Sequence, residues 1–180
     1  MATAQAESTI PTGTWKSDPV HSHVGFAVKH VVGTFRGGFN GYEVSLSDSE
    51  GEPKLAGTVQ VESIQVDDEQ LQGHLLSPEF FDAERNPEIR FESTKLTRED
   101  DQVVVDGVFT VAGESRDVAA RGEIAGPAQG PDEKAHLGIE LEAKIDRNEF
   151  GLDWQLETPD GGKTLGDEVT LSVHLELVEE

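Results

Sequence analysis

Apolar and polar residues alternate along most of the chain, which is the pattern of strands with one buried face. The clearest run lies near the C-terminus, where Val169, Leu171, Val173, Leu175 and Leu177 are separated by polar residues. The other runs contain Leu137, Ile139, Leu141, Ala143 and Ile145; Val24, Phe26 and Val28; Tyr42, Val44 and Leu46; Val59 and Val61; Ile89 and Phe91; Val103 and Val105; Phe109 and Val111. The pattern therefore predicts a protein made mostly of strands.

Turn-forming residues separate these runs, for example Gly51-Glu52-Pro53, Gly126-Pro127 and Pro159-Asp160-Gly161-Gly162. Roughly eight strands with regular turns favour an antiparallel sandwich or barrel. A closed barrel leaves no unpaired edge strand. We therefore expect an all-β fold, an eight-stranded antiparallel β-barrel.

One segment breaks the alternation. Residues 67–86 read DDEQLQGHLLSPEFFDAERN, with Leu71, Leu75 and Leu76 at helical spacing and Pro78 at the start of a second turn. This segment predicts one or two short helices that cover one end of the barrel.

The chain of 180 residues has the length of one domain. Residues 1–13 are small and polar, which predicts a flexible N-terminal segment, and residues 14–180 are expected to form the barrel domain. The N-terminus shows no secretory pattern, and no stretch approaches the ~20 apolar residues of a spanning helix. We expect a cytoplasmic protein without an integral membrane segment.

Composition excludes several function classes. The chain has no cysteine, which excludes disulfides, thiol catalysis and thiolate-bound metals. It has 14 basic and 36 acidic residues, a net charge of −22. A nucleic-acid partner is not expected, because phosphate contact needs a basic patch, and docking on an anionic membrane is disfavoured for the same reason. Any protein partner of this surface is expected to be basic or weakly bound.

The aromatic residues are mostly phenylalanine and allow two interpretations of the barrel interior. An eight-stranded barrel can fill its interior with side chains or hold one small ligand. Composition alone favours the filled interior, since protein cores are normally close-packed.

The histidines could be metal ligands, barrel-rim groups or acid–base catalysts. His21 and His23 share a face on a strand, and His30 and His74 could join them. Because no established metal motif is present, we expect neither a metal nor a cofactor, and polar groups at a barrel rim are the favoured interpretation. No nucleophile motif is present either, so we expect no catalytic residues.

Four blocks of residues, in order, resemble the motifs of one known family. They are Trp15-x-x-Asp18-Pro19-x-His21-Ser22-x-Val24-x-Phe26-x-Val28-x-His30; His74-Leu75-x-Ser77-Pro78-Glu79-Phe80-Phe81-Asp82 with Pro87-x-Ile89-x-Phe91-x-Ser93-Thr94; Gly107-x-Phe109-Thr110-Val111-x-Gly113 with Val118; and Ile145-x-Arg147-x-x-Phe150-Gly151 with Val169. Together they resemble the YceI-like family of lipid-binding proteins from about Trp15 to Val178.

The resemblance implies a lipocalin-like, eight-stranded barrel with an elongated apolar pore. It implies binding of a polyisoprenoid, such as an isoprenoid quinone or a polyprenyl phosphate, rather than catalysis. It therefore reverses the preference for a filled interior. Family members often associate as homodimers. An acidic residue often precedes the histidine of the second block, where this chain has Gly73.

The resemblance also suggests where a lipid would lie. We expect its tail to contact apolar residues of the matched blocks and their neighbours. These residues are Phe26, Val28, Phe35, Phe39, Leu75, Phe80, Phe81, Phe91, Phe109 and Phe150. The head group is expected near His21, His30 or His74. The alternative is an enzyme acting on an apolar substrate, with these histidines as acid–base groups or metal ligands.

Overall fold

A computed structural model of the protein describes residues 10–49 and 51–180. Within these residues the chain forms eleven β-strands and one α-helix. The strands are β1 (Thr14–Ser17), β2 (His23–His30), β3 (Gly33–Phe39), β4 (Tyr42–Ser49), β5 (Glu52–Gln60), β6 (Ile64–Gln65), β7 (Glu88–Glu99), β8 (Gln102–Val111), β9 (Glu114–Gln129), β10 (Ala135–Asp146) and β11 (Leu165–Glu179). Helix α1 spans Glu69–Leu76, and short 3-10 helices span Val61–Ser63 and Arg147–Phe150.

Eight of these strands form a closed antiparallel ring. Hydrogen bonds link β1, β4, β5, β7, β8, β9, β10 and β11 in that order, and β1 closes the ring by pairing with β11. The predicted all-β, eight-stranded barrel is therefore confirmed.

Two separate strands, β1 and β2, pair with the same edge of β11, one after the other. The break between them gives the barrel two different ends. One end of β11 pairs with β1, with Trp15 opposite Glu179. The rest of β11 pairs with β2, with Val173 opposite Val24. Strands β3 and β6 continue the sheet outward from β2. Residues 18–22 form the loop that separates β1 from β2.

The interior is divided between two hydrophobic clusters. The first lies within the closed ring and includes the fully buried Leu46, Val105, Leu137 and Leu177. The second lies beside β2, β3 and α1 and includes several half-buried aromatic side chains that pack against its core. The first cluster fills one half of the barrel, while the second surrounds the cavity described below.

Helix α1 explains why residues 67–86 break the alternation. The Asp68 carboxylate accepts hydrogen bonds from the amides of Gln70 and Leu71 and caps the helix N-terminus. Leu75, on the inward face of the helix, is buried. One helix and a following turn occupy the segment, in agreement with the prediction of one or two. No helix in the described part of the chain is long and apolar enough to cross a bilayer.

The prediction of a flexible segment over residues 1–13 falls mostly outside the described residues. Of the remainder, Ile10 packs against the filled core. The Trp15 indole Nε1 donates to the Thr12 carbonyl oxygen at 3.0 Å. The chain is thus already held against the barrel before β1 begins.

Candidate functional site

A cavity of about 500 Å³ occupies the end of the barrel beside β2, β3 and α1. Its wall is mostly apolar and comes from strands, helix and loop alike. It is lined by Val24, Gly25, Phe26, Val28, Gly33, Phe35, Phe39, Val59, Leu71, Leu75, Phe80, Phe81, Ile89, Phe109, Val111, Ile145, Leu152, Trp154, Leu165, Val169, Leu171 and Val173, with the polar residues His30, Thr34, His74, Arg147 and Thr164. Its volume falls in the range of about 300–1,000 Å³ typical of small-molecule sites.

The border between hollow and filled halves is visible along β11. Leu175 and Leu177 are buried at 4% and 0% exposure and belong to the filled core. Val169, Leu171 and Val173 have the same alternation but line the cavity and are only half-buried. The inward face of one strand thus changes from packed core to cavity wall within a few residues.

Three phenylalanines from the β2–β3 hairpin form one side of the wall. The ring centroid of Phe26 lies 5.9 Å from those of Phe35 and Phe39. Phe26 is opposite Gly37 in the strand register. The absence of a side chain at Gly37 leaves room for the Phe26 ring against the wall, because a Cβ there would lie 2.5 Å from Phe26 Cζ.

Helix α1 and the turn after it close another side. The imidazole of His74 lies between two aromatic rings, each 5.0 Å away, those of Phe80 and Trp154. His74 Nε2 is 2.5 Å from Glu79 Oε2, so the carboxylate fixes the orientation of the ring. Gly73 is exposed on the same helix, and a Cβ there would meet nothing within 4 Å.

A buried arginine holds the loop that completes the wall. Arg147 is 3% exposed, and its guanidinium donates to the carbonyl oxygens of Leu152, Trp154, Leu165 and Gly166. Nη1 lies 2.5 Å from the Leu152 carbonyl oxygen and 2.8 Å from that of Trp154. Burial lowers the pKa of Arg147, and nearby acidic residues oppose that shift. The hydrogen bonds to these carbonyl oxygens compensate for the loss of hydration of the buried guanidinium charge.

The cavity reaches the surface at the β2–β3 turn. The lining residues His30, Gly33 and Thr34 are exposed. The Val31 amide donates to the Thr164 carbonyl oxygen at 2.8 Å, which joins this turn to the loop held by Arg147. Val32, next in the turn, is 97% exposed. These residues form the cavity mouth.

Most of the residues predicted to contact a ligand lie together on this wall. Phe26, Val28, Phe35, Phe39, Leu75, Phe80, Phe81 and Phe109 line the cavity, as do His30 and His74.

The other predicted residues lie elsewhere. Phe150 is 1% exposed and packs behind Phe109, with ring centroids 5.6 Å apart. Phe91 packs against the filled core and covers Gly107. His21 lies outside the lining, next to Asp18 and Glu176.

Several lining residues were not singled out from the sequence. Val24 shares a strand face with Phe26, and Val169, Leu171 and Val173 alternate on β11, so periodicity carried a signal for them. Leu152 and Trp154 lie in a loop without periodicity. Their position depends on Arg147, and no sequence pattern indicates it.

Comparison with known proteins places this barrel in a family. The YceI-like domain matches residues 15–177. The chain belongs to the YceI-like family. A UPF0312 protein from Photorhabdus laumondii is 28% identical over 137 residues, which cover 73% of this chain and 71% of the relative.

Solved structures agree with the YceI-like assignment. The Campylobacter jejuni YCEI protein is 27% identical, and the two structures superpose with a TM-score of 0.68. The match covers 80% of this chain and 84% of the Campylobacter jejuni chain. A polyisoprenoid binding domain from Saccharophagus degradans is 8% identical, covers 94% of this chain and 100% of its own, and gives a TM-score of 0.73. The second comparison shows the shared fold alone.

Proposed function

We propose that this YceI-like protein binds an isoprenoid lipid in the cavity and acts as its carrier, store or buffer. The observation that carries the proposal is the hollow, apolar half of an otherwise filled barrel. Half-buried phenylalanines face this space, and a close-packed core would not leave them so. The polyisoprenoid binding domain of the same fold supports the ligand class.

The wall chemistry suits an isoprenoid tail. Each CH₂ group that leaves water contributes about 0.8 kcal/mol before the costs of ordering. An apolar wall supplies this term without ionic contacts, and a few polar groups are enough to orient the ligand. A chain too long for about 500 Å³ would leave through the mouth at Gly33 and Thr34.

The polar lining residues suggest two positions for the head group. His30 and Thr34 lie at the exposed mouth, and His74 lies deeper beside Trp154. A quinone carbonyl or a polyprenyl phosphate oxygen could accept a hydrogen bond from either histidine. We propose His30 and His74 as the head-group contacts. Binding assays with a quinone and with a polyprenyl phosphate would distinguish the two head groups.

Trp154 provides a native reporter for the test, since its indole lines the cavity while Trp15 is buried in the other half. The purified protein is titrated with a short-chain isoprenoid quinone and tryptophan fluorescence is recorded. We expect saturable quenching that Trp154→Phe removes, with Trp15 retained as the internal control. Absence of any saturable fluorescence change in the wild type, with the quinone and with a polyprenyl phosphate added separately, would contradict the proposal.

One contact favours the alternative, an enzyme acting on an apolar substrate: the 2.5 Å pair of His74 and Glu79 could support acid–base chemistry. We propose binding instead, because the same pair orients an imidazole against two aromatic rings. His74→Asn distinguishes the two functions. Weaker binding of a ligand recovered unchanged supports the carrier, and a ligand converted by the wild type alone supports the enzyme. The cytoplasmic location and the homodimer stay predictions from the sequence.

A further inference from the structure

A second group of chemically active side chains lies on the outer face of the barrel, around the filled half. His136 precedes the buried Leu137 on β10, and Glu176 lies between the buried Leu175 and Leu177 on β11. Since neighbouring residues on a strand point to opposite faces, His136 and Glu176 face outward. The loop between β1 and β2 brings Asp18 and His21 to the same place.

The ligand atoms of Asp18, His21 and Glu176 lie within 4.8 Å of one another. His21 Nδ1 lies 2.7 Å from Asp18 Oδ2 and 3.3 Å from Glu176 Oε2. In a tetrahedral site with metal–ligand distances of about 2.1 Å, the ligand atoms are roughly 3.4 Å apart. The separation of His21 from Glu176 is close to that value, and that of His21 from Asp18 is shorter. His136 Nδ1 lies beside this group, 3.7 Å from the same Glu176 oxygen.

The surrounding hydrogen bonds hold these side chains in place. The Asp18 amide donates to the Glu176 carbonyl oxygen at 2.9 Å, and the Glu176 amide donates to Ser22 Oγ at 3.1 Å. Asp18 Oδ1 accepts from the Val20 amide at 2.9 Å. Both backbone polar groups of Glu176 are thus used to fix the loop to β11, which fixes the relative positions of Asp18 and Glu176.

His136 lies next to Glu176 from the side of β10. Its Nε2 is 2.8 Å from Asp132 Oδ1, while its Nδ1 lies 3.7 Å from Glu176 Oε2. Carboxylates that bind a metal are commonly held by neighbouring hydrogen-bonding groups of this kind. His136 is therefore a positioning residue for Glu176 rather than a ligand.

We propose that Asp18, His21 and Glu176, whose ligand atoms lie within 4.8 Å of one another, form a binding site for a zinc-class divalent ion with one position open to water. An imidazole nitrogen beside two carboxylates suits Zn²⁺ better than Ca²⁺ or Mg²⁺, which take oxygen ligands. The ion would tie the loop of residues 18–22 to β11, beside the interruption between β1 and β2. The sequence predicts no metal here, because residue spacing does not show that Asp18 and His21 lie next to Glu176.

The test is calorimetric titration of the untagged, metal-stripped protein with Zn²⁺, with Ca²⁺ and Mg²⁺ as comparison ions. We expect one strong Zn²⁺ equivalent and a rise in melting temperature, with no comparable effect of the other two ions. Asp18→Asn should weaken Zn²⁺ affinity at least about tenfold. Asparagine keeps an oxygen that can accept from the Val20 amide, so the loop should stay folded.

Glu140→Gln is the matched control, because it removes one outer-face carboxylate, the partner of His174 at 3.3 Å. It should leave Zn²⁺ affinity unchanged, while His21→Asn should weaken it as Asp18→Asn does. Equal losses in Glu140→Gln and Asp18→Asn would overturn the proposal, as would absence of a saturable site in the wild type.

A second measurement does not depend on the folding of any variant. Imidazole nitrogen resonances of the wild-type protein should shift on Zn²⁺ addition at His21 and stay in place at His30 and His74. Shifts at His30 or His74 instead would place the metal at the cavity and overturn this assignment.

Discussion

The ring of Phe26 on β2 lies over Gly37 on β3. The two residues are opposite each other in the register, and a Cβ at Gly37 would lie 2.5 Å from Phe26 Cζ and 2.8 Å from Cε1. Because Gly37 has no side chain, the ring can lie along the wall and leave the cavity open. The size of the cavity therefore depends on Gly37, although Gly37 is not itself one of the lining residues.

Gly37→Ala should push the Phe26 ring into the cavity and reduce its volume. If the ring displaces the volume of two tail methylenes, at about 0.8 kcal/mol each, affinity for an isoprenoid quinone falls roughly tenfold or more. The quenching titration of Trp154 measures this loss. Gly38→Ala is the matched control, because its Cβ would meet His23 and the Val24 carbonyl instead. Equal affinities in the two variants would contradict the placement of the tail beside Phe26.

Phe109→Trp should also narrow the cavity, because Phe109 lines the wall and is backed by the fully buried Phe150. With Phe150 behind it, the larger ring can extend only toward the ligand. We expect quinone affinity to fall while the circular dichroism spectrum stays that of a folded barrel. Phe91→Trp is the comparison, since Phe91 packs on the filled core and should change stability rather than affinity. Normal lipid affinity in folded Phe109→Trp would reject this position for the tail.

Arg147→Gln should loosen the loop that carries Leu152 and Trp154. The substitution removes most of the hydrogen bonds from a buried guanidinium to backbone carbonyls. Hydrogen bonds to charged groups contribute about 1.5–3 kcal/mol each, so we expect a loss of about 3 kcal/mol in the free energy of unfolding. Urea denaturation measures it, and Arg147→Lys, which keeps the charge without the planar fork, should recover only part. Full stability in Arg147→Gln would show that the loop is held by other contacts.

Acid should weaken the same loop through Asp167. The Lys163 ammonium, at 2.5 Å, and the Asn148 amide, at 3.0 Å, hold the pKa of Asp167 below its usual 3.8. The carboxylate therefore stabilises the folded state above the unfolded value of 3.8, and this contribution is lost as pH falls through the lower folded pKa.

Asp167→Asn tests this sign. The variant should be less stable than the wild type near neutral pH, and the difference should close as pH falls below 3.8 and through the lower folded pKa. The difference in free energy of unfolding, measured by urea denaturation across this range, gives the profile. A difference that stays constant with pH would assign the effect to packing rather than to charge.

The sequence could predict the barrel, because alternation is local. The cavity and its wall were implied by the resemblance to the YceI-like family, since composition alone favoured a filled interior. Phe26, Phe35 and Phe109, expected on that ground to contact a lipid tail, all line the cavity. A helix within residues 67–86 was predictable from its leucine spacing, while its bounds, Glu69–Leu76, and its cap at Asp68 came from the structure.

The sequence could not show where the hollow half ends. Val173 and Leu175 have the same chemistry and the same parity on β11, yet one lines the cavity and the other is buried in the filled core. Their difference arises from the opposing elements, since α1 and the loop of Arg147 leave a space that the closed ring does not. Phe91 and His21 lie outside the lining for the same reason, because the neighbours of each are set by strand pairing between distant segments.

The central claim is that the cavity holds an isoprenoid lipid. The most direct test is to purify the protein from its own host, extract it with organic solvent and identify the extract by mass spectrometry. We predict one isoprenoid species at close to one molecule per chain, depleted in Phe109→Trp and retained in Phe91→Trp. An extract without lipid, from a protein that also takes up neither added quinone nor polyprenyl phosphate, would contradict the claim.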